Sequence, residues 1–455
     1  MSLRAALERE LLAYWYAGTA TGPRPPTLAP LAEATPTPLS RSEWATAAPP
    51  LKKRLEQRAA ALIAWLLARS PLAPALAAIT VLYARARQQS VLRPATQHPP
   101  VVVVGNWVVG GGGKTPVVLA LVRALRARGF RVAILSNGYG GSREGVLQPE
   151  QAREQSGYAA YSAGWSDEAA LLGLLSGAAV GVGRNRAHAL QQLLAACPML
   201  DLVVSDDGLQ HPGLPRRGEI GLLDGRGFGN LRCLPIGPLR EPIESRPRSD
   251  WLILRGLADS LSVANHSPGI EPRQEVDRVS EATSHTKLCK QLANQTLQWE
   301  LAPLRVVTWS TWTALSLERP GLQRCVPDPA GRPAGPQCGP TAEIGLSSAS
   351  LEDVRKLWKG RRILGLAGIA HPEQLMAQCA RAGIQAEWLR PGDHRKAKLS
   401  AVRSINEADI ILLTAKDAVK YTQLDDRFHV LIQDESVPAA LITWLEQLIL
   451  GPAPA

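Results

Sequence analysis

Val101-Val102-Val103-Val104-Gly105-Asn106-Trp107-Val108-Val109-Gly110-Gly111-Gly112-Gly113-Lys114-Thr115-Pro116 joins a run of valines to a run of glycines, and the fold follows from that junction. A short, continuously apolar run is the pattern of a strand buried on both faces of a sheet. Glycines let successive backbone N–H groups turn toward an anion, and a helix opening at Pro116 adds the partial positive charge of its N-terminus. Lys114 is placed to reach the outer phosphates of a nucleotide, and the Thr115 hydroxyl to ligate magnesium. The common Gly-x-x-x-x-Gly-Lys-Ser/Thr spacing puts glycine where Val108 stands, so this is a variant phosphate loop with Gly110, Gly111, Gly112 and Gly113 in succession. ATP and Mg2+ are the expected ligands.

Downstream the rhythm repeats. Val132 to Leu135, Val180 to Val182, Leu202 to Val204, Ile220 to Leu223 and Leu252 to Leu254 are further strand-like runs, and Pro116 to Arg128 carries Val117, Val118, Leu121 and Leu125 on one helical face before Gly129. Alternating strands and helices predict a doubly wound, mainly parallel α/β sheet of the P-loop NTPase kind over residues 98–256. A second, smaller α/β domain is expected over 351–455, with strands at Ile363 to Ala367, Ile410 to Leu413 and Val430 to Ile432 and helices at Pro372 to Ala382 and Val437 to Leu450. Residues 257–350 read as an irregular linker and insertion, with a possible strand pair around Leu297 to Val307.

The first 97 residues have a different character. Met1 to Ala17 spaces Leu3, Leu7, Leu11, Leu12 and Trp15 as an amphipathic helix, and Thr19 to Pro50 holds eight prolines and reads as an inserted linker. Ala59 to Leu82 is apolar between basic flanks. Arg69, Pro71 and Pro74 interrupt it, which fits two short helices lying in a bilayer interface better than a span of about 20 residues. The net charge of +11 favours an anionic partner. With aromatics at 5% and no basic-aromatic platform, nucleic acid is the weakest candidate and an anionic membrane surface a better one. Six scattered cysteines without Cys-x-x-Cys spacing point to a reducing compartment and no structural zinc.

Leu202 to Val204 runs into Ser205-Asp206-Asp207-Gly208-Leu209-Gln210-His211, where a P-loop enzyme places its magnesium-positioning acids. Asp206, first after the strand, is the better candidate. Asp167-Glu168 opens an Ala/Leu helix, and Asp167 alone would be read as a helix cap.

Taken together, these segments resemble the tetraacyldisaccharide 4′-kinases of lipid A biosynthesis, membrane-associated P-loop enzymes of Gram-negative bacteria. The likeness rests on Gly105-Asn106 with Gly110 to Pro116, Ser136 to Gly141, Asp167-Glu168, Asp206 to His211, Phe228-Gly229-Asn230, Leu234 to Pro242, Ala367 to Pro372, Asp393-His394 and Thr414 to Lys420. It implies transfer of the ATP γ-phosphate to the 4′-hydroxyl of an acylated glucosamine disaccharide 1-phosphate, by a peripheral protein on the cytoplasmic face of the inner membrane. Carried onto matching positions, it gives Lys114 and Thr115 to ATP and magnesium, and Asp206, Asp207 and Glu241 to the metal or its water shell. Arg240 stabilises phosphate charge, and Asp167 with His394 activates the sugar hydroxyl. Gln210 and His211 orient the acidic turn, while Lys416 and Lys420 read as structural.

This chain departs from the family where it has Asn137 for arginine, Gly112 for threonine, Ser166 and Ala169 around the acid pair, Asn185 for an acid and Ala415 for glutamate. None of these removes a proposed catalytic group. The rival reading is a partner-regulated ATPase switch of the partition type, whose loop usually carries lysine where Val109 stands.

Overall fold

The computed structural model describes residues 99–211, 213–234, 236–243, 249–255, 292–300, 302–315, 349–369, 372–391, 396–397, 399, 403–433 and 435–451, with 78, 81 and 82. The expected N-terminal helix, the proline-rich segment, most of the apolar stretch 59–82, most of 257–350 and His394 lie outside them. The chain divides into two compact units, Met1–Ala86 with Gly225–Arg246, and Arg87–Asp224 with Pro247–Ala455.

The second unit contains both sheets. Strands β1 (Val101–Asn106), β2 (Val132–Ser136), β3 (Gly145–Leu147), β4 (Val180–Val182), β5 (Leu202–Asp206), β6 (Gly218–Asp224), β7 (Ser249–Arg255) and β8 (Ala293–Trp299) form an eight-stranded sheet in the order β3-β4-β2-β5-β1-β6-β7-β8. Every pairing is parallel except β3 with β4. The β1, β2 and β5 strands are buried throughout, as their unbroken apolar runs require. From β1 the chain crosses to β2 through the helix Lys114–Ala127 and leaves a place between them that β5 fills. That arrangement makes the carboxyl ends of β1 and β5 neighbours, at a point where α/β sheets place ligands.

Six further strands, β9 (Leu304–Thr308), β10 (Ala349–Ser350), β11 (Ile363–Leu366), β12 (Glu387–Leu389), β13 (Ile410–Thr414) and β14 (Phe428–Gln433), form a second sheet in the order β10-β9-β14-β13-β11-β12. Here β9 runs antiparallel to both β10 and β14, and the rest is parallel. The possible strand pair around Leu297 to Val307 is divided between the two sheets. It breaks at 300–303, leaving β8 in the first sheet and β9 in the second. Apolar periodicity alone cannot see a change of sheet in mid-run.

One continuous core joins the two sheets, from Val117, Leu121 and Leu172 to Leu364, Leu413, Val430, Leu441 and Leu445. A buried ion pair also crosses it: Arg255 at the end of β7 meets Glu435 beyond β14, and Glu435 Oε2 accepts from Ala302 N at 3.3 Å. Burying two charges gains little over a well-packed apolar pair, but stranding one of them is costly. Glu435→Ala leaves the Arg255 guanidinium buried without its carboxylate, and urea unfolding is expected to report a loss of about 3 kcal/mol.

Candidate functional site

The helix Lys114–Ala127 packs Val117, Val118, Leu121, Val122 and Leu125 inward, which anchors its amino end against β1. Gly113 stands at its N-cap with φ 70°, a left-handed conformation that suits glycine, and no side chain caps the first turn. Those N–H groups are thus held for an anion. At Gly112 a Cβ would sit 2.8 Å from Asn106 Nδ2, so a side chain there would press on the residue that orients the lysine. Lys114 Nζ donates to Asn106 Oδ1 at 3.0 Å and lies 3.3 Å from Asp207 Oδ1. Asn106 is itself fixed, its backbone oxygen accepting from Gln210 Nε2 at 3.2 Å. This gives Gln210 the orienting part expected from its place in the acidic turn.

Across the loop, Thr115 Oγ1 donates to Glu168 Oε1 at 3.0 Å. Sequence reading had Glu168 only as a neighbour of Asp167; the contact joins positions on two different helices, and no local spacing announces it. Arg186 is the other residue it missed. It is buried, and its Nη2 donates to the Asp206 backbone oxygen at 2.6 Å. Burial lowers the Arg186 guanidinium pKa to about 10, against the raising effect of Asp206, Asp207 and Glu168.

Asp206 ends β5 in the core, and its Oδ1 has no hydrogen-bond partner among the described residues. Burial, reinforced by the negative charge of Glu168 and then opposed by Lys114, pushes its pKa up to about 7. An orphaned, partly protonated carboxylate in the field of Lys114 and Glu168, at the strand end next to the phosphate loop, fits a cation site that also draws on phosphate oxygens. Among the described residues no three His, Cys, Asp or Glu side chains converge as a self-sufficient metal cage. Magnesium held by one or two carboxylates and a triphosphate does not need one.

Asp167 is the first residue of the helix Asp167–Ser176, which Ser166 caps by accepting from Ala169 N at 3.1 Å. Asp167 is buried, its Oδ1 accepts from Glu168 N at 2.9 Å, and its Oδ2 lies 3.0 Å from Lys420 Nζ. Lys114, Thr115, Asp206, Asp207 and Asp167 thus share one unit. Arg240 and Glu241 belong to the other, where Glu241 is buried and Asn230 Nδ2 braces the turn by donating to the Ile236 oxygen at 2.8 Å.

A parallel sheet that delivers a strand into an uncapped, glycine-led helix, with carboxylates at the end of the next strand, defines a P-loop nucleotide-binding protein of the α/β class. The chain belongs to the tetraacyldisaccharide-1-P 4′-kinase (LpxK) family, whose model matches residues 63–311 and 328–450. It is 34% identical over 386 residues to the tetraacyldisaccharide 4′-kinase of Bordetella petrii, covering 84% of this chain and 91% of that one. The protein of the same description from Herminiimonas arsenicoxydans is 32% identical over 372 residues, covering 80% and 84%. The crystal structure of LpxK from Aquifex aeolicus in complex with ATP has the same fold, with a TM-score of 0.51 at 20% identity over 84% of this chain and 99% of that one.

The raised pKa of Asp206 has a consequence for stability. Because the folded state holds this proton more tightly than the unfolded chain does, stability falls as pH rises from about 4 through about 7 and stays low above that. Asp206→Asn is therefore expected to stabilise the ligand-free protein by roughly 2 kcal/mol at pH 8, with the gain shrinking toward pH 5 in denaturant titrations at the two pH values.

Proposed function

We propose that this protein transfers the γ-phosphate of ATP to the 4′-hydroxyl of a tetraacylated glucosamine disaccharide 1-phosphate, the reaction of lipid A 4′-kinases. The observation that carries the reading is the uncapped amino end of the helix Lys114–Ala127 with Lys114 and Thr115 at its start and Asp207 3.3 Å from the lysine. The backbone of Gly110 to Gly113 cradles the phosphates. Lys114 leaves its resting partners Asn106 and Asp207 for the β and γ oxygens, where its charge offsets what builds up as the terminal group departs. Thr115, Asp206 and Asp207 would hold magnesium. Magnesium bound there would offset the negative charge of the triphosphate.

A sugar hydroxyl attacks poorly until its proton has an acceptor. Asp167, paired with His394, takes that proton as the new O–P bond forms and the bond to ADP breaks. His394 lies outside the described residues. The pairing would draw the acid from the nucleotide-binding layer and the imidazole from the C-terminal segment.

The acylated acceptor places the enzyme at a membrane. Among the described residues no helix is long and apolar enough to cross one. We assign attachment to residues 1–17, whose apolar spacing predicts an amphipathic helix, and to the interrupted apolar stretch 59–82, whose basic flanks suit an anionic leaflet, on the cytoplasmic face of a Gram-negative inner membrane.

Purified protein given labelled ATP, magnesium and the acylated disaccharide 1-phosphate is expected to place label in the lipid, and chelation by EDTA to abolish it. ATP hydrolysis indifferent to the lipid overturns the assignment. Lys114→Ala is expected to lower kcat by roughly 100-fold or more. Asp167→Ala should lower it by roughly 100- to 10,000-fold with ATP binding retained, and near-normal transfer would remove Asp167 from the base role.

A further inference from the structure

Lys420 is fully buried in the C-terminal layer, following the short helix Ala415–Ala418, and its ammonium lies between two carboxylates. Nζ is 3.0 Å from Asp417 Oδ1 on its own layer and 3.0 Å from Asp167 Oδ2 at the start of a helix of the nucleotide-binding layer. Burial works to strip its proton, but Asp417 and then Asp167 outweigh burial and raise its pKa, so the ammonium persists.

We infer that Lys420 is a positioning residue for Asp167, reaching across from the C-terminal layer to keep the carboxylate ionised and aimed. The inference rests on the reading of Asp167 as the proton acceptor. Its first support is the cost of isolation: a buried carboxylate without a counter-charge holds its own proton and cannot accept one from a hydroxyl. The second is the asymmetry of the cluster. Asp417 already has Gly368 N donating to Oδ2 at 2.7 Å, Thr414 Oγ1 donating to Oδ2 at 2.7 Å, and Lys420. With one ammonium shared by two carboxylates, the cluster has room for one proton, and Asp167 is the member that opens a helix of the nucleotide-binding layer. When the hydroxyl O–H bond breaks, its proton passes to Asp167, while the O–P bond forms and ADP leaves with the electrons of the broken bond.

The groups on the neighbouring elements are engaged elsewhere or lie outward. On its own helix, Glu168 turns its carboxylate to Thr115, and from the helix Lys114–Ala127 Lys114 faces Asn106 and Asp207. In the segment 149–162, Glu150 and Glu154 are exposed, while Tyr158 lies under Lys396, whose Nζ is 5.3 Å from its ring. Tyr161 and Arg153 are half-buried in that same segment, and Lys416 is half-buried beside Asp417.

The test compares wild type, Lys420→Met, Lys420→Arg, Asp167→Asn and the double variant Asp167→Asn/Lys420→Met, using ATP and the acylated disaccharide 1-phosphate. Lys420→Met is expected to lose roughly 100-fold in kcat with the KM for ATP within about twofold, and to move the acid limb of the kcat–pH profile up by about one unit or more. Lys420→Arg keeps the limb near its wild-type position. The double variant is no slower than Asp167→Asn alone, since Lys420 acts through Asp167. An unmoved limb in Lys420→Met, or losses that multiply in the double variant, overturns the inference. Near-wild-type transfer by Asp167→Asn defeats the base reading instead, whatever Lys420 does. If Lys420→Met fails to bind ATP, Lys420→Gln/Asp417→Asn removes both charges from the C-terminal layer and leaves a neutral hydrogen-bonding pair. The same limb is then read in that variant, with the same two outcomes.

Discussion

The first turn of the helix Lys114–Ala127 has backbone N–H groups and no side chain to cap them, and the surroundings are built to keep it that way. β1 carries the chain into the loop from the centre of a buried parallel sheet, so the amino end of the helix cannot drift. Asn106 and Gln210 brace Lys114 from behind, and Thr115 is tied to Glu168 on another helix. A fixed positive end of this kind attracts triphosphate before any side chain moves. The acids opposite it then carry the cost of burial and, after it, of mutual repulsion, visible in the raised proton affinity of Asp206.

Several departures from the family pattern are chemically conservative in their setting. Ser166 caps the helix that Asp167 opens, accepting from Ala169 N, and Asn185 caps the helix Arg186–Ala196 by accepting from His188 N at 3.2 Å. Serine and asparagine are among the strongest N-caps, so the helices that present Asp167 and Arg186 keep their starting points. Ala415 is different. It takes an acid out of the first turn of the short helix before Lys420, and Thr414 alone caps that turn through Asp417 N at 3.1 Å.

How much of this was legible in the sequence depended on range. The strands at Val101, Val132, Val180, Leu202, Ile220 and Leu252 could be read because a strand covered on both faces is apolar at every position, and the phosphate loop because its parts are adjacent in the chain. Helix starts were less exact: the first helix begins at Lys114, two residues before the proline at which the sequence pattern opens it, since the lysine and threonine are already wound into its first turn. Contacts between distant segments left no periodic trace. Glu168 with Thr115, Arg186 with Asp206 and Lys420 with Asp167 each join side chains that only the folded sheet order brings together. Lys420 in particular looked like a structural lysine of the C-terminal layer, because the strand order that carries it to Asp167 is not written in its neighbours.

The bridges between the layers also bear on how the molecule is made. Asp167 and Arg255 emerge from the ribosome well before Lys420 and Glu435. Domains tend to fold from the N-terminal side as synthesis proceeds. A nascent chain that has completed the first sheet therefore possesses its nucleotide loop but holds one carboxylate and one guanidinium whose counter-charges have not yet been translated. Synthesis past Glu435 supplies both, so maturation of the interior electrostatics waits on the C-terminal layer, and a chain cut short before it yields a loop without its finished surroundings.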